Sequence, residues 1–244
     1  NKNKMNQFRP TGFNVLPVVI KNLLIINGLF FLAQKSIGGP LSTFSFEDTL
    51  ALHAFQSELF RPWQLITHMF LHGDFGHIFG NMLALWMFGS ILENIWGPKQ
   101  FLLFYFSCGV GAAMIHLGIL TFELMDATTY YHQLIMSGAA QTADAAEFMI
   151  RYKARVDVAT LGASGAVFGI LIAFVYLFPN TYIYIYFFIP MKAKWLGILY
   201  FSYELFFALR NSAGDNVARW AHVGGALVGF ILVYIWKRKN TRRY

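Results

Sequence analysis

The chain has 244 residues, of which 57% are hydrophobic and only 13% charged, whereas a soluble globular domain carries roughly 25% charged residues. That excludes an ordinary soluble enzyme, and the mean hydropathy of +0.48 points to several membrane spans. The formal charge of +7 raises a nucleic-acid partner, but five of the 19 basic residues sit in the tail "KRKNTRR" with no folded basic face, so none is expected.

A crossing helix needs about 20 apolar residues, with a range of roughly 17–25. Spans are expected near residues 15–33, 76–96, 100–122, 162–178, 194–209 and 220–236, in a single membrane domain covering 1–244. The first apolar run follows basic residues but lacks a small-residue cleavage site, so it reads as a retained span rather than a signal peptide. Long connections are expected at 34–75 and at 123–161, the second containing "SGAAQTADAAE". The only cysteine, Cys108, lies in an apolar run and has no intrachain disulfide partner. Before the fifth span, "TYIYIYFFIPMKAK" alternates Tyr and Ile and reads either as a short interfacial strand or as an early helix start. No internal repeat and no second soluble domain is evident.

Six spans put both termini on one side of the membrane, and the Lys/Arg bias selects the side. Lys2, Lys4, Arg9, Lys99, Lys192, Lys194 and the five tail cations oppose Lys35, Arg61, Arg151, Lys153, Arg155, Arg210 and Arg219. The second group is spread over longer loops that also hold ten of the 12 acidic residues. Both termini are therefore expected in the cytoplasm, with spans two, four and six running from outside to inside.

The fourth span opens on "LGASGAVFG", and a hydroxyl is costly to bury in hydrocarbon without a partner. Ser164 lies 15 residues before Pro179, His222 lies 15 before Lys237, and Asn81 lies 16 before Gly97. At 1.5 Å per residue all three sit about 22–24 Å from the inner surface. In a core about 30 Å thick, that is about 6–8 Å below the outer face. Gly165 and Gly169 form a G-x-x-x-G in the fourth span, as Gly225 and Gly229 do in the sixth. Such pairs let membrane helices pack backbone to backbone, so Ser164 and His222 are expected to meet. The bland alternative is that both motifs serve packing alone.

The second span adds "HGDFGHIFGNM", in which His77 and Asn81 are four apart and share a helix face. A membrane-embedded histidine is a functional candidate by default. His68 and His72, just outside, read as hydrogen-bond clamps. Asn81, His77 and the Ser164 backbone N–H are candidate donors to an oxyanion. Other chemistries lack their residues. There is no H-E-x-x-H for a metalloprotease. Glu93 and Glu204 are the span carboxylates, where an aspartyl mechanism needs an apposed pair; Glu204 has no assignable partner in the sequence. A transporter would need paired ionisable groups and an inverted repeat.

Together, "HGDFGHIFGN", "GASG" and "AHVGG" resemble the rhomboid intramembrane serine proteases of the six-span bacterial type, over about residues 61–234. The resemblance implies an all-α polytopic membrane protein, a six-transmembrane-helix bundle, working without metal or cofactor. It implies Ser164 as nucleophile and His222 as general base, a dyad without a third carboxylate. His77 and Asn81 match the oxyanion-hole side chains, Gly162 the first glycine of G-x-S-G, and Phe168 an aromatic packed on the catalytic imidazole. Trp63-Gln64 stands where some bacterial members have Trp-Arg. Substrates are expected to be single-span membrane proteins in the lipid bilayer of a bacterial inner membrane. They would be cut near the outer face, after a small residue, where Gly or Pro loosens the helix. The fifth span, "LGILYFSYELFF", is expected to flank a lateral entry beside span two. The rival reading is a catalytically inactive rhomboid-like protein that binds membrane clients. Such relatives typically lose the Ser or the His, and this chain keeps both.

Overall fold

Within hydrocarbon every backbone N–H and C=O must be satisfied inside the chain, so long apolar runs fold as helices. The computed structural model describes residues 12–37, 44–138, 141–185, 189–210 and 218–240. Helix α1 spans Val18–Ile37, followed by the short α2 (Phe46–Leu50) and α3 (Gln64–Thr67). Next come α4 (Phe75–Ala84) and α5 (Ser90–Trp96), joined by the π-helical turn Leu85–Gly89. Then follow α6 (Pro98–Met136), α7 (Ala143–Val156), α8 (Ser164–Leu177), α9 (Ala193–Arg210) and α10 (Arg219–Asn240). Val18–Ile37, Phe75–Trp96, Pro98–Met136 and Arg219–Arg238 are long and apolar enough to cross a membrane, and Ser164–Leu177 is a shorter apolar helix. The architecture is an all-α polytopic membrane bundle.

The helix boundaries have local causes. Asp74 caps α4 by accepting the His77 N–H at 2.9 Å. Gly97, at φ +80°, turns the chain in a conformation that only glycine adopts freely, and Pro98 then starts α6. Buried Glu93 accepts the N–H groups of Val19 and Ile20, each at 2.9 Å. These belong to the first turn of α1, where no intrahelical carbonyl is available. A carboxylate inside a membrane bundle is thus used to cap a neighbouring helix.

Two connections differ from their sequence reading or resolve it. The 123–161 segment is a helical hairpin: α6 continues to Met136 and α7 returns beside it. Its reason is a small apolar seam in which Leu124, Tyr152, Val156 and Ala54 are buried, with Tyr131 stacked on Tyr152 at 4.5 Å. Residues 139 and 140 of the "SGAAQTADAAE" stretch lie outside the described residues. The Tyr/Ile alternation is an antiparallel pair, β1 (Tyr182–Ile185) and β2 (Ile189–Lys192), with Tyr182 opposite Lys192. Lys2, Lys4, Arg9, Arg242 and Arg243, which weigh in the orientation argument, lie outside the described residues.

The core is built where α6, α8 and α10 pack on one another. Phe101, Phe104, Tyr105 and Cys108 of α6 are buried with Ile170 and Ala173 of α8 and Val233 of α10. The two G-x-x-x-G faces meet as expected. A Cβ at Gly225 would overlap the Gly165 carbonyl, and one at Gly229 would come within 2.6 Å of the Gly169 Cα. Only helices without side chains at these points can approach so closely.

Candidate active site

The segment entering α8 is fixed before the helix begins. Leu52 and Thr160 exchange two backbone hydrogen bonds of 2.8 Å, and the Gly162 N–H donates to the His68 carbonyl at 2.9 Å. The 44–75 loop that supplies these anchors is organised by Gln64, which is fully buried. Gln64 Oε1 accepts the Arg61 N–H at 3.1 Å, and its Nε2 donates to the Leu59 carbonyl at 2.9 Å. The glutamine at the Trp-Arg position is therefore an uncharged hub of this loop.

His68 does not clamp two helices together: its Nδ1 lies 2.7 Å from the Gln64 carbonyl, four residues back in the same segment, and burial lowers its pKa to about 4, so the ring is neutral and Nδ1–H donates. His72 is also lowered to about 4, by burial first and then by His77. Its ring does not bridge helices but packs edge-on against His77 at 5.1 Å, while its backbone N–H donates to Gln34 Oε1 at 3.2 Å.

Gly162 has φ +128°, and a Cβ there would come within 2.7 Å of His77 Nε2 and 3.6 Å of Ser164 Oγ. Glycine is needed on both counts, and its bareness sets the His77 ring beside the serine. Ser164 is the first residue of α8, so its N–H is among the four that no intrahelical carbonyl can satisfy. Asn81 is buried one turn after His77 on α4, which packs against α8. None of the described residues hydrogen-bonds its side-chain amide.

Ser164 Oγ stands 2.8 Å from His222 Nε2. Phe168, one turn deeper on α8, stacks on the His222 imidazole with centroids 4.4 Å apart and planes 14° from parallel. On its other side the same imidazole meets a residue that the sequence left unassigned. His222 Nδ1 is 3.0 Å from Glu204 Oε2, and Arg219 Nη1 is 3.3 Å from that same oxygen. The resemblance implied no third carboxylate; the structure places one, because α9 packs on both α8 and α10 with Glu204 on its buried side. The available signal was an ionisable residue inside a span, which needs a partner. Arg219, three residues before His222 on α10, supplies one.

The order and spacing of these residues can be compared with those of known proteins. A family model for the rhomboid domain matches residues 59–239. The chain belongs to the rhomboid family. It is 30% identical over 227 residues to RHOMBOID-like protein 12, mitochondrial, of Arabidopsis thaliana, covering 93% of this chain and 60% of that protein. It is 28% identical over 180 residues to rhomboid protein 1, mitochondrial, of Saccharomyces cerevisiae, covering 70% of this chain and 40% of that one. With the rhomboid protein YdcA of Bacillus subtilis it shares 27% over 184 residues, covering 75% and 71%. This rhomboid thus spans 60% of the length of the Arabidopsis relative and less of the yeast one. Membership supports an intramembrane protease-type function in a multi-pass membrane protein. The mitochondrial relatives give no support to a bacterial inner membrane as its location.

Proposed function

We propose that this rhomboid is a serine endopeptidase that cuts transmembrane segments near the outer face of the membrane. The observation carrying this reading is the 2.8 Å approach of Ser164 Oγ to His222 Nε2 inside a membrane bundle. A serine hydroxyl is a weak nucleophile until a base takes its proton. His222 accepts that proton as Oγ attacks the scissile carbonyl, then returns it to the leaving amine; water repeats the sequence on the acyl-enzyme. The negative charge on the tetrahedral oxygen is met by the Ser164 N–H at the α8 N-terminus, helped by Asn81 and His77. Phe168 holds the imidazole face, and Gly162 leaves room for the substrate backbone.

The substrates of this reading are single-span membrane proteins. Their helix must open before cleavage, since a helix keeps its carbonyls in its own hydrogen bonds. Six spans with both termini on the cytoplasmic side complete the proposal. Entry is lateral, between α4 and α9; Phe75 and Phe79 on α4 and Tyr203 and Phe206 on α9 are exposed apolar groups suited to lipid and to a substrate helix. A disulfide engineered between α4 and α9 is expected to slow cleavage of a membrane-embedded reporter in a way that reductant reverses. Full-rate cleavage with the crosslink closed would rule out that entry route.

The decisive test is labelling of the purified protein with a fluorophosphonate probe, comparing wild type with Ser164→Ala and His222→Ala. Labelling of wild type alone is expected. Folded wild type that labels no better than Ser164→Ala across several lipid and pH conditions would leave the non-proteolytic client-binding reading in its place.

A further inference from the structure

A Ser–His pair alone does not require Glu204, yet this carboxylate is 3% exposed. Burying an ion this deeply costs several kcal/mol unless partners compensate. Its surroundings are organised around the imidazole. Residues 219 and 222 are three apart on α10 and so share a face; both reach the same oxygen, Oε2, from Arg219 Nη1 at 3.3 Å and His222 Nδ1 at 3.0 Å. The Arg219 guanidinium is in turn held over the α9 rings of Tyr203, at 5.4 Å, and Phe207, at 4.9 Å. Those rings flank Glu204 in the sequence, so α9 presents the carboxylate together with a seat for its counter-ion.

The geometry has a consequence for the proton. A neutral imidazole carries one N–H, on either nitrogen. If it lies on Nε2, His222 offers a proton to Ser164 Oγ and cannot act as its base. An ionised carboxylate at Nδ1 accepts only, so the N–H is held at Nδ1 and the Nε2 lone pair faces the serine. When Ser164 transfers its proton to Nε2, positive charge appears on a ring whose Nδ1 already touches a fixed anion. Glu204 gives up and gains no proton at any step. The proton passes from Oγ to Nε2 as the Oγ–C bond forms, and from Nε2 to the amine nitrogen as the C–N bond breaks.

We infer that Glu204 is the positioning residue of His222, completing a Ser164–His222–Glu204 triad in which Arg219 pairs with the same carboxylate oxygen. The inference rests on the serine-protease reading above. Ser164 and Phe168 from α8 and Glu204 from α9 touch His222, while Tyr200 of α9 packs on Phe168 and Arg219 of α10 pairs with Glu204. His77 of α4 and His116 of α6 add charge interactions from further away.

The test measures fluorophosphonate labelling of the full chain, separating the maximal rate constant from the probe's half-saturation concentration. Glu204→Gln is expected to lower the maximal rate on the order of 10²-fold or more and to leave half-saturation within about threefold. Glu204→Asp is expected to recover part of the rate. A Glu204→Gln protein with the wild-type maximal rate would overturn the inference while leaving the protease reading intact. A wild type that does not label overturns both. A second readout is independent of any change at Glu204: in Ser164→Ala protein with ¹⁵N-labelled histidine, His222 is expected as the Nδ1–H tautomer at neutral pH. An Nε2–H tautomer there would overturn the inference.

Discussion

Ser164→Ala and His222→Ala are each expected to lower cleavage of a co-reconstituted single-span reporter on the order of 10⁴–10⁶-fold. The reporter carries a small residue followed by Gly or Pro near the outer end of its helix. The double variant is expected to fall no further than either single one, since groups acting as a unit are lost together. The stabilities of the two variants should separate. Ser164→Ala removes one oxygen and its hydrogen bond to His222 Nε2, a loss of about 0.5–1.5 kcal/mol. His222→Ala removes the ring stacked on Phe168 and leaves buried Glu204 with Arg219 as its remaining contact of the two. That loss is about 1–3 kcal/mol, readable as a lower unfolding midpoint in detergent. Either single variant retaining cleavage within tenfold of wild type would remove that side chain from the chemistry.

Gly225→Val is expected to destabilise the bundle by about 3 kcal/mol or more, the upper end of overpacking costs. It is also expected to abolish labelling without altering any proposed reacting group. A Cβ at this position would overlap the Gly165 carbonyl, so α8 and α10 must move apart. Ser164 immediately precedes Gly165, and His222 lies three residues before Gly225. A hydrogen bond of 2.8 Å loses its geometry beyond about 3.5 Å, so a shift of one carbon diameter separates the pair. Gly28→Ala is the control: a Cβ there meets nothing within 4 Å. In the interior of α1 the change is expected to stabilise by about 0.5–1 kcal/mol. Thermal unfolding and probe labelling of the two variants, side by side, check both statements. A Gly225→Val protein with the wild-type midpoint and labelling would mean that the close crossing is not what holds the pair.

The parts of the site legible in the sequence share a physical origin. Polar residues are rare in hydrocarbon, so Ser164, His222, His77 and Asn81 stand out, and the constant rise of a helix converts sequence offset into depth. Small residues at i and i+4 identify the faces that can touch, which is why Gly165, Gly169, Gly225 and Gly229 pointed to one helix pair. The 123–161 hairpin was harder to read. Its seam, built from Leu124, Tyr131 and Tyr152, depends on a contact between two helices, and the Ala- and Gly-rich stretch between them carries no apolar period of its own. The strand pair before α9 was ambiguous for a related reason: alternation over a few residues cannot be told from a helix start until the returning strand is known to pair with it.

Composition and spacing by themselves determined that the chain is a polytopic membrane protein, and they gave Ser164, His222 and Asn81 matching offsets along their helices, because these are one-dimensional quantities. Tertiary structure alone decided what stands beside each of them. Glu93 became a cap for α1, Gln64 the hub of the loop that anchors Gly162, and Glu204 a partner of His222 Nδ1. Each outcome depends on how helices distant in sequence are rotated about their axes. That rotation is set by packing many side chains at once, and no local pattern encodes it.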